Sequence, residues 1–386
     1  MKQVDLVILG AGPAGSAAAV TARRAGLSVV LIDKARFPRD KLCGGLVTGR
    51  CAAHLARIFG QAITEDLFDT RRNFEFFMQG QDLGRLDDVP PLHLTMRRAF
   101  DAQLLGHARA AGAQDYTGHR VSTLDLAQNR VTLDRGEPLS FKALIGADGV
   151  QSIVAKELFS RAFDPARVGF ALEIEAPAQT ATLATPIRID FAAARWGYGW
   201  SFPKRGSTTV GVAGLHTHNP DMKPCLSTYL DLLDTGQGAK IKGHFLPFGE
   251  GKSRPGRGNI LLAGDAAGFV DPITGEGIGH AIHSGELAAL SVAHAIGKNK
   301  PDQALTHYRR ATRPIRNAII QARLLRPLIF APHLQAFFAR SFANSRSLKR
   351  NYMHLLSGET EYPALLLRVL TRLPAACWRN IRRKNP

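Results

Sequence analysis

Cysteine is scarce in this chain, and no two cysteines stand in C-x-x-C spacing. Cys43, Cys51, Cys225 and Cys377 are the whole set. Four scattered thiols exclude a disulfide framework, a zinc ribbon and an iron–sulfur cluster, so no metal site is expected. No run approaches the ~20 apolar residues that a spanning helix needs. Low-complexity tracts and repeats at solenoid periods are absent. The N-terminus enters a strand pattern at once, with no charged n-region or cleavage site. No signal peptide is read, and a reducing, cytoplasmic setting is expected.

Acidic residues are also in short supply: 32 Asp and Glu face 50 Lys and Arg, for a net charge of +18. The shortage is local. From Gln303 to Pro386 there are 16 Lys and Arg against Glu359 and Glu361, so this stretch carries +14 of the total. No helix-turn-helix, zinc or base-stacking pattern accompanies it, and no nucleic acid partner is expected.

What is present begins at Val4. VDLVILG is a buried parallel-strand pattern, and Gly10, Gly12 and Gly15 follow in G-x-G-x-x-G spacing. A small-residue helix and a second apolar strand ending on Asp33 complete the unit. Gly10 permits the tight turn, Gly12 the approach of backbone to a pyrophosphate, and Gly15 close packing of helix on strand. The helix start offers N–H groups to phosphate, and Asp33 stands where a carboxylate accepts from an adenosine ribose.

Phe37 to Gly45 (FPRDKLCGG) reads as a loop beside that nucleotide. Cys43 in it is either a buried structural thiol or a group facing the reactive part of a cofactor. A helix is read from Arg98 to Gly112. Arg97 and Arg98 at its start oppose the dipole, which suits either a phosphate partner or a solvated pair. HRVSTLDL and NRVTLD read as a small antiparallel excursion, ALIGADG as a returning core strand, and Ser152 as the cap of a short helix.

Val168 to Gly214 is mostly strand-like, with period-two alternation that indicates an antiparallel sheet. Trp196, Tyr198 and Trp200 alternate, so one face would carry three aromatics. Core packing is the plain reading, and the wall of an apolar substrate cavity the sharper one. NILLAGD is a further buried strand. Gly275, Gly277 and Gly279 then precede a long helix from about His280, a second place for backbone N–H groups to meet an anion. His280 and His283 are read as helix residues. Beyond Asp302 the pattern is helical, with breaks at Pro314, Pro327, Pro332, Pro363 and Pro374. LLRPLIFAPHLQAFFARSF suits either an anionic membrane surface or packing on the protein, and YPALLLRVLTRLPAACWRNIRRK reads as a membrane segment.

Together, Gly10 to Gly15 with Asp33, Arg97-x-x-Phe100-Asp101, Gly146-Ala147-Asp148-Gly149 and Gly264-Asp265 through Gly277-Ile278 resemble the FAD-dependent hydroxylase-type flavoproteins. FPRDKLCGG and Tyr198-Gly199-Trp200-Ser201-Phe202-Pro203-Lys204 resemble the geranylgeranyl reductase family more narrowly. Asp33 replaces the Glu of many relatives. The resemblance implies an α/β (α+β overall) fold: a Rossmann-type FAD-binding domain, an antiparallel-sheet substrate domain and a helical C-terminal tail. The FAD-binding domain is expected over 1–75, 97–165 and 256–300, the substrate domain over 76–96 and 166–255, and the basic helical region over 301–386. FAD contacts are implied for Gly10, Gly12, Ala14, Gly15, Asp33, Lys34, Cys43, Gly44, Gly45, Arg97, Val121, Asp265, Gly275, Gly277 and Ile278. Cys43, Tyr198 and Trp200 are the expected catalytic residues.

The activity implied is reduction of C=C bonds in a prenyl lipid or quinone side chain. The alternative is an FAD-dependent monooxygenase or halogenase-like enzyme acting on an aromatic or polyketide substrate. No second dinucleotide fingerprint is present, so NAD(P)H binding transiently or reduced ferredoxin is the expected electron donor. The basic tail would attract ferredoxin or the inner face of a membrane.

Overall fold

The structure, a computed structural model, describes residues 2–136, 138–177, 185–236 and 238–362. Its first sheet has a parallel core. The strands run in the order Ile260–Leu262, Leu139–Gly146, Lys2–Leu9, Val29–Asp33 and Gln114–Thr117. Leu6, Val7 and Ile8 have no exposed surface, as a strand covered on both faces requires. Val121–Asp125 and Arg130–Leu133 form the antiparallel excursion, paired onto Leu139–Gly146.

The first helix, Pro13–Arg24, starts with Pro in its first turn and ends on Arg23 and Arg24, both favourable for its dipole. It lies against the long helix Ile278–Gly297 with little between the two backbones. A Cβ at Gly285 would stand 2.1 Å from the carbonyl oxygen of Ala14. One at Gly15 would stand 1.7 Å from the carbonyl oxygen of Gly10, so the glycine there is a packing requirement.

The second sheet runs Lys242–Leu246, Gly169–Pro177, Ser207–Leu215, Tyr198–Lys204, Ile187–Phe191, Phe74–Met78 and Gln81–Leu86. Its pairings are antiparallel except that of Ile187–Phe191 with Phe74–Met78. Pairing Glu173 with Gly211 and Lys242, and Gly211 with Trp200, fixes which side chains share a face. Lys242, His244, Glu173, Glu175, Thr209, Tyr198, Trp200, Phe202 and Lys204 fall on one side. Leu172, Ile174, Val210 and Val212 fall on the other, in a separate apolar cluster with Leu226 and Tyr229.

Trp196 is not part of the alternation read from the sequence. The strand begins at Tyr198, and Trp196 sits in the preceding turn at φ +56, its ring stacked on His218 at 5.7 Å. Gly197 closes that turn, because a Cβ there would stand 1.8 Å from the carbonyl oxygen of Ala213. The third aromatic of the face is Phe202, 6.3 Å from the Trp200 ring.

Among the described residues four α-helices follow: Ala304–Ala311, Arg313–Phe330, Pro332–Ala343 and Arg346–Ser357. They cover part of the second sheet. Phe342 meets Phe76 and Phe191 edge to face at 5.1 and 5.6 Å, and Tyr352 joins the same cluster. Pro314 and Pro332 occupy first turns, where a missing N–H is harmless. Pro327 does not break its helix as expected. It lies inside Arg313–Phe330, close enough to the end that the turn closes through Ala331 N–H to Pro327 carbonyl oxygen at 3.0 Å, with Phe330 held in the core. Pro363 and Pro374, with nearly all of the final basic segment, lie outside the described residues. Among the described residues no helix is long and apolar enough to cross a membrane.

Candidate active site

Two helix starts converge at the carboxyl ends of the parallel strands. Gly10 adopts φ +103, and a Cβ on it would meet the carbonyl oxygen of Ala147 at 2.2 Å. Gly12 caps Pro13–Arg24 with extended backbone and no side-chain bond, so no side chain of its own occupies the helix start. Gly277 likewise caps Ile278–Gly297 without a side-chain bond. Gly264 joins the two, with a Cβ position 3.2 Å from the Cβ atoms of Ala14 and Ala281. Asp265 follows on the short turn Gly264–Ala267, its Oδ1 3.9 Å from the Cβ position of Gly277.

Asp33 ends its strand with both oxygens engaged: Ala11 N–H donates to Oδ2 and Ala35 N–H to Oδ1, each at 2.8 Å. The carboxylate thereby holds the glycine turn while keeping lone pairs for a ribose. Lys34 is exposed just beyond it. Val121 opens the excursion strand, three residues after Gly118, whose N–H donates to the Asp33 carbonyl oxygen at 2.8 Å.

Arg97 is buried, and its fork pairs with Asp101 through Nε to Oδ1 at 2.7 Å and a second bond at 2.8 Å. Burial opposes its charge, but Asp101 and Cys43 raise its pKa overall. Arg97 therefore spends its guanidinium on a protein carboxylate and on the Cys43 side chain.

Arg39 and Lys41 lie in the FPRDKLCGG loop expected beside the nucleotide, although neither is among the expected FAD contacts. Arg39 reaches Asp101 at 3.2 Å and stands 3.5 Å from the Cβ position of Gly12, over the glycine turn. Its Nη1 is buried and finds no hydrogen-bond partner among the described residues. Burial lowers the Lys41 amine to about 8, against the pull of Asp265. These cations, the uncapped helix starts and the glycine cradle fit a dinucleotide pyrophosphate. Gly10, Gly12, Ala14, Gly15, Arg39, Lys41 and Asp265 would hold FAD, with Asp33 at its ribose. Bound FAD supplies two-electron chemistry to whatever lies beside its ring.

The Cys43-Gly44-Gly45 turn brings the second sheet to this place. Gly44 lies against the aromatic strand: a Cβ there would stand 2.6 Å from the Phe202 ring and 3.3 Å from Trp200 Nε1. Gly45, at φ +76, has its Cβ position 2.0 Å from the Thr95 carbonyl oxygen. Cys43 N–H donates to Glu173 Oε1 at 2.9 Å, and Gly45 N–H reaches the Cys43 sulfur at 3.4 Å. Tyr198 meets the other glycine loop, its hydroxyl 2.0 Å from the Cβ position of Gly275. Burial raises the Tyr198 pKa, so the phenol stays neutral.

Around these groups the same face is charged and buried. Lys204 donates to Thr209 Oγ1, and Thr209 donates to Glu175 Oε2 at 2.8 Å. Burial, with Lys41, Arg97, Arg39 and Lys34 nearby, lowers His244 to about 3. Neither Glu173 nor His244 is among the residues expected at the site from sequence. In ALEIEA the two glutamates alternate with Leu172 and Ile174, the ordinary pattern of a strand with one polar face, so nothing local marks Glu173 as buried.

Fold and site together define an FAD-dependent oxidoreductase. The model of the FAD dependent oxidoreductase family matches residues 5–131. The menaquinone reductase of Mycobacterium tuberculosis is 31% identical over 315 residues, covering 74% of this chain and 75% of that protein. The geranylgeranyl diphosphate reductase of Rhodobacter capsulatus is 30% identical over 77% of each. A solved geranylgeranyl bacteriochlorophyll reductase-like protein from Thermoplasma acidophilum shares the fold, with a TM-score of 0.73, 21% identity and 92% coverage of both chains. The chain belongs to the geranylgeranyl reductase family of FAD-dependent oxidoreductases.

Proposed function

We propose that this protein reduces C=C bonds in a prenyl lipid or a prenylated quinone. The observation that carries the reading is the packing of the Cys-Gly-Gly turn onto Trp200 and Phe202. That packing brings a buried aromatic face up to the loop that borders the cofactor site, which supports the reading. An isolated alkene is a poor hydride acceptor, so its reduction needs a shielded site and charge stabilisation at the reacting carbons. Tyr198 and Trp200 exclude water and present π faces to developing positive charge. Cys43 stands at the turn between this face and Arg97. Relatives named as menaquinone and geranylgeranyl diphosphate reductases support the same substrate class.

Electrons come from NAD(P)H bound transiently or from reduced ferredoxin, and the substrate comes from an anionic lipid surface. Ile320, Leu324, Leu328 and Phe337 are exposed, Leu324 by 71% and Phe337 by 73%. The first three follow i, i+4, i+8 spacing on one helix. Between Asp302 and Glu359 there are ten Lys and Arg and no acid. An apolar stripe on a helical segment whose own charges are all basic suits the headgroup region of an anionic leaflet at the inner face of a membrane.

A single-turnover assay tests the activity. Flavin-loaded protein is reduced with dithionite and mixed with prenyl lipids and menaquinones, with and without oxygen. A product two hydrogens heavier without oxygen is the expected result. A product carrying one added oxygen, formed only in air, overturns it.

A further inference from the structure

On the side of the second sheet that carries Tyr198, Trp200 and Phe202, one carboxyl is engaged by only one of its oxygens. Glu173 is 5% exposed, and its Oε1 accepts from Cys43 N–H at 2.9 Å. Its Oε2 is buried with no hydrogen-bond partner among the described residues. Trp200 Nε1 is a second buried polar atom without a partner there. The two side chains flank Gly211: a Cβ on that residue would meet Glu173 Cβ at 2.8 Å and the Trp200 ring at 2.4 Å. An oxygen buried this way carries a desolvation penalty unless it is protonated or meets a reacting partner.

We propose that Glu173 is the proton donor for alkene reduction. The inference rests on the reductase reading above. In the step, one alkene carbon would receive hydride from the N–H of bound, reduced flavin, the two-electron reductant that the reductase reading supplies. The π bond breaks, and the other carbon takes the proton from the Glu173 O–H. Two C–H bonds would form as the flavin N–H, the Glu173 O–H and the alkene π bond break, and the carboxylate left behind would regain its proton from solvent after product leaves. Charge placement agrees. Burial raises the Glu173 pKa to about 7, against the Cys43 N–H bond and Lys204 and Lys242, and with the help of Glu175. A donor poised near the working pH is the efficient case.

The test uses the FAD-loaded full chain carrying Glu173→Gln. The amide oxygen still accepts from Cys43 N–H, so a merely structural role is preserved while the proton is lost. Flavin content and dithionite reduction should match the wild type, while alkene reduction in a single turnover falls by about 10²–10⁴-fold. The wild-type minus variant infrared spectrum at pH 6 should contain a protonated-carboxyl band. In the wild type the single-turnover rate should fall as pH rises through about 7. Glu173→Asp, which withdraws the proton by one methylene, should fall between the two. Undiminished turnover in Glu173→Gln, or absence of the carboxyl band, overturns the assignment. Failure of the wild type to reduce any prenyl lipid overturns the reductase reading itself, and the proton donor with it.

Discussion

Gly44 and Phe202 touch so closely that no side chain fits between them: a Cβ on Gly44 would lie 2.6 Å from the Phe202 ring. Trp200 Nε1 on the same side leaves the ring little room to retreat. Gly44→Ala should therefore shift the Cys43 turn rather than unfold the protein. Displacement by a fraction of an ångström to 1 Å at a reacting geometry can lower turnover on the order of 10²-fold. Flavin absorbance of the purified variant should remain at the wild-type ratio to protein while the single-turnover rate falls.

Arg39 should contribute to cofactor affinity. Its unpartnered Nη1 is buried near the glycine turn, where a charge-assisted bond to phosphate contributes about 1.5–3 kcal/mol. Arg39→Gln should weaken FAD binding by roughly 10–100-fold, read by titrating the cofactor-depleted protein with FAD and following flavin fluorescence. An unchanged dissociation constant would show that Arg39 serves Asp101 alone.

Acid should act through a histidine pair. His54 and His283 stack at 4.5 Å, and burial, His283, Arg57 and Arg50 push His54 down to about 3. The unfolded chain protonates it near 6.5. Its contribution to stability is thus complete above pH 6.5 and lost as pH falls towards 3. His54→Gln should flatten the decline of Tm across that window.

Vesicles provide the check on the basic helices. Leu324→Asp with Phe337→Asp replaces two exposed side chains, so Tm should stay within the scatter of surface substitutions. Binding to vesicles containing anionic lipid, followed by sedimentation, should fall several-fold, and binding should weaken with added salt. Equal binding by wild type and variant would remove the membrane from the proposal.

The cofactor half of the molecule was legible because each of its devices leaves a mark on local sequence. Gly10, Gly12, Gly15 and Asp33 occupy positions that backbone geometry and hydrogen bonding demand, and such demands act over a few residues. The convergence of FPRDKLCGG with the aromatic strand could be named only by resemblance, since it depends on packing across some 160 positions of chain. Trp196 shows the limit of alternation. Period two was visible through Trp196, Tyr198 and Trp200, but the close approach of Gly197 to Ala213 turned the chain one residue before the strand. Glu173 lay in plain view in a strand, yet its importance comes from Cys43 and Trp200, which the sequence holds far from it. Pro327 stays inside its helix because whether a proline breaks a helix depends on how near the end it sits, which the residue alone does not reveal.

The contact between Gly285 and Ala14 has a consequence for how the cofactor would arrive. With backbone nearly touching backbone, the two long helices cannot slide or rotate past each other. Their uncapped starts therefore keep one fixed separation whether or not a pyrophosphate lies between them. Recombination of cofactor-depleted protein with FAD should resemble a key entering a finished lock: single-phase, with little change in far-ultraviolet circular dichroism. Widening that contact, as Gly285→Ala would, should convert the same reaction into a slow and incomplete one.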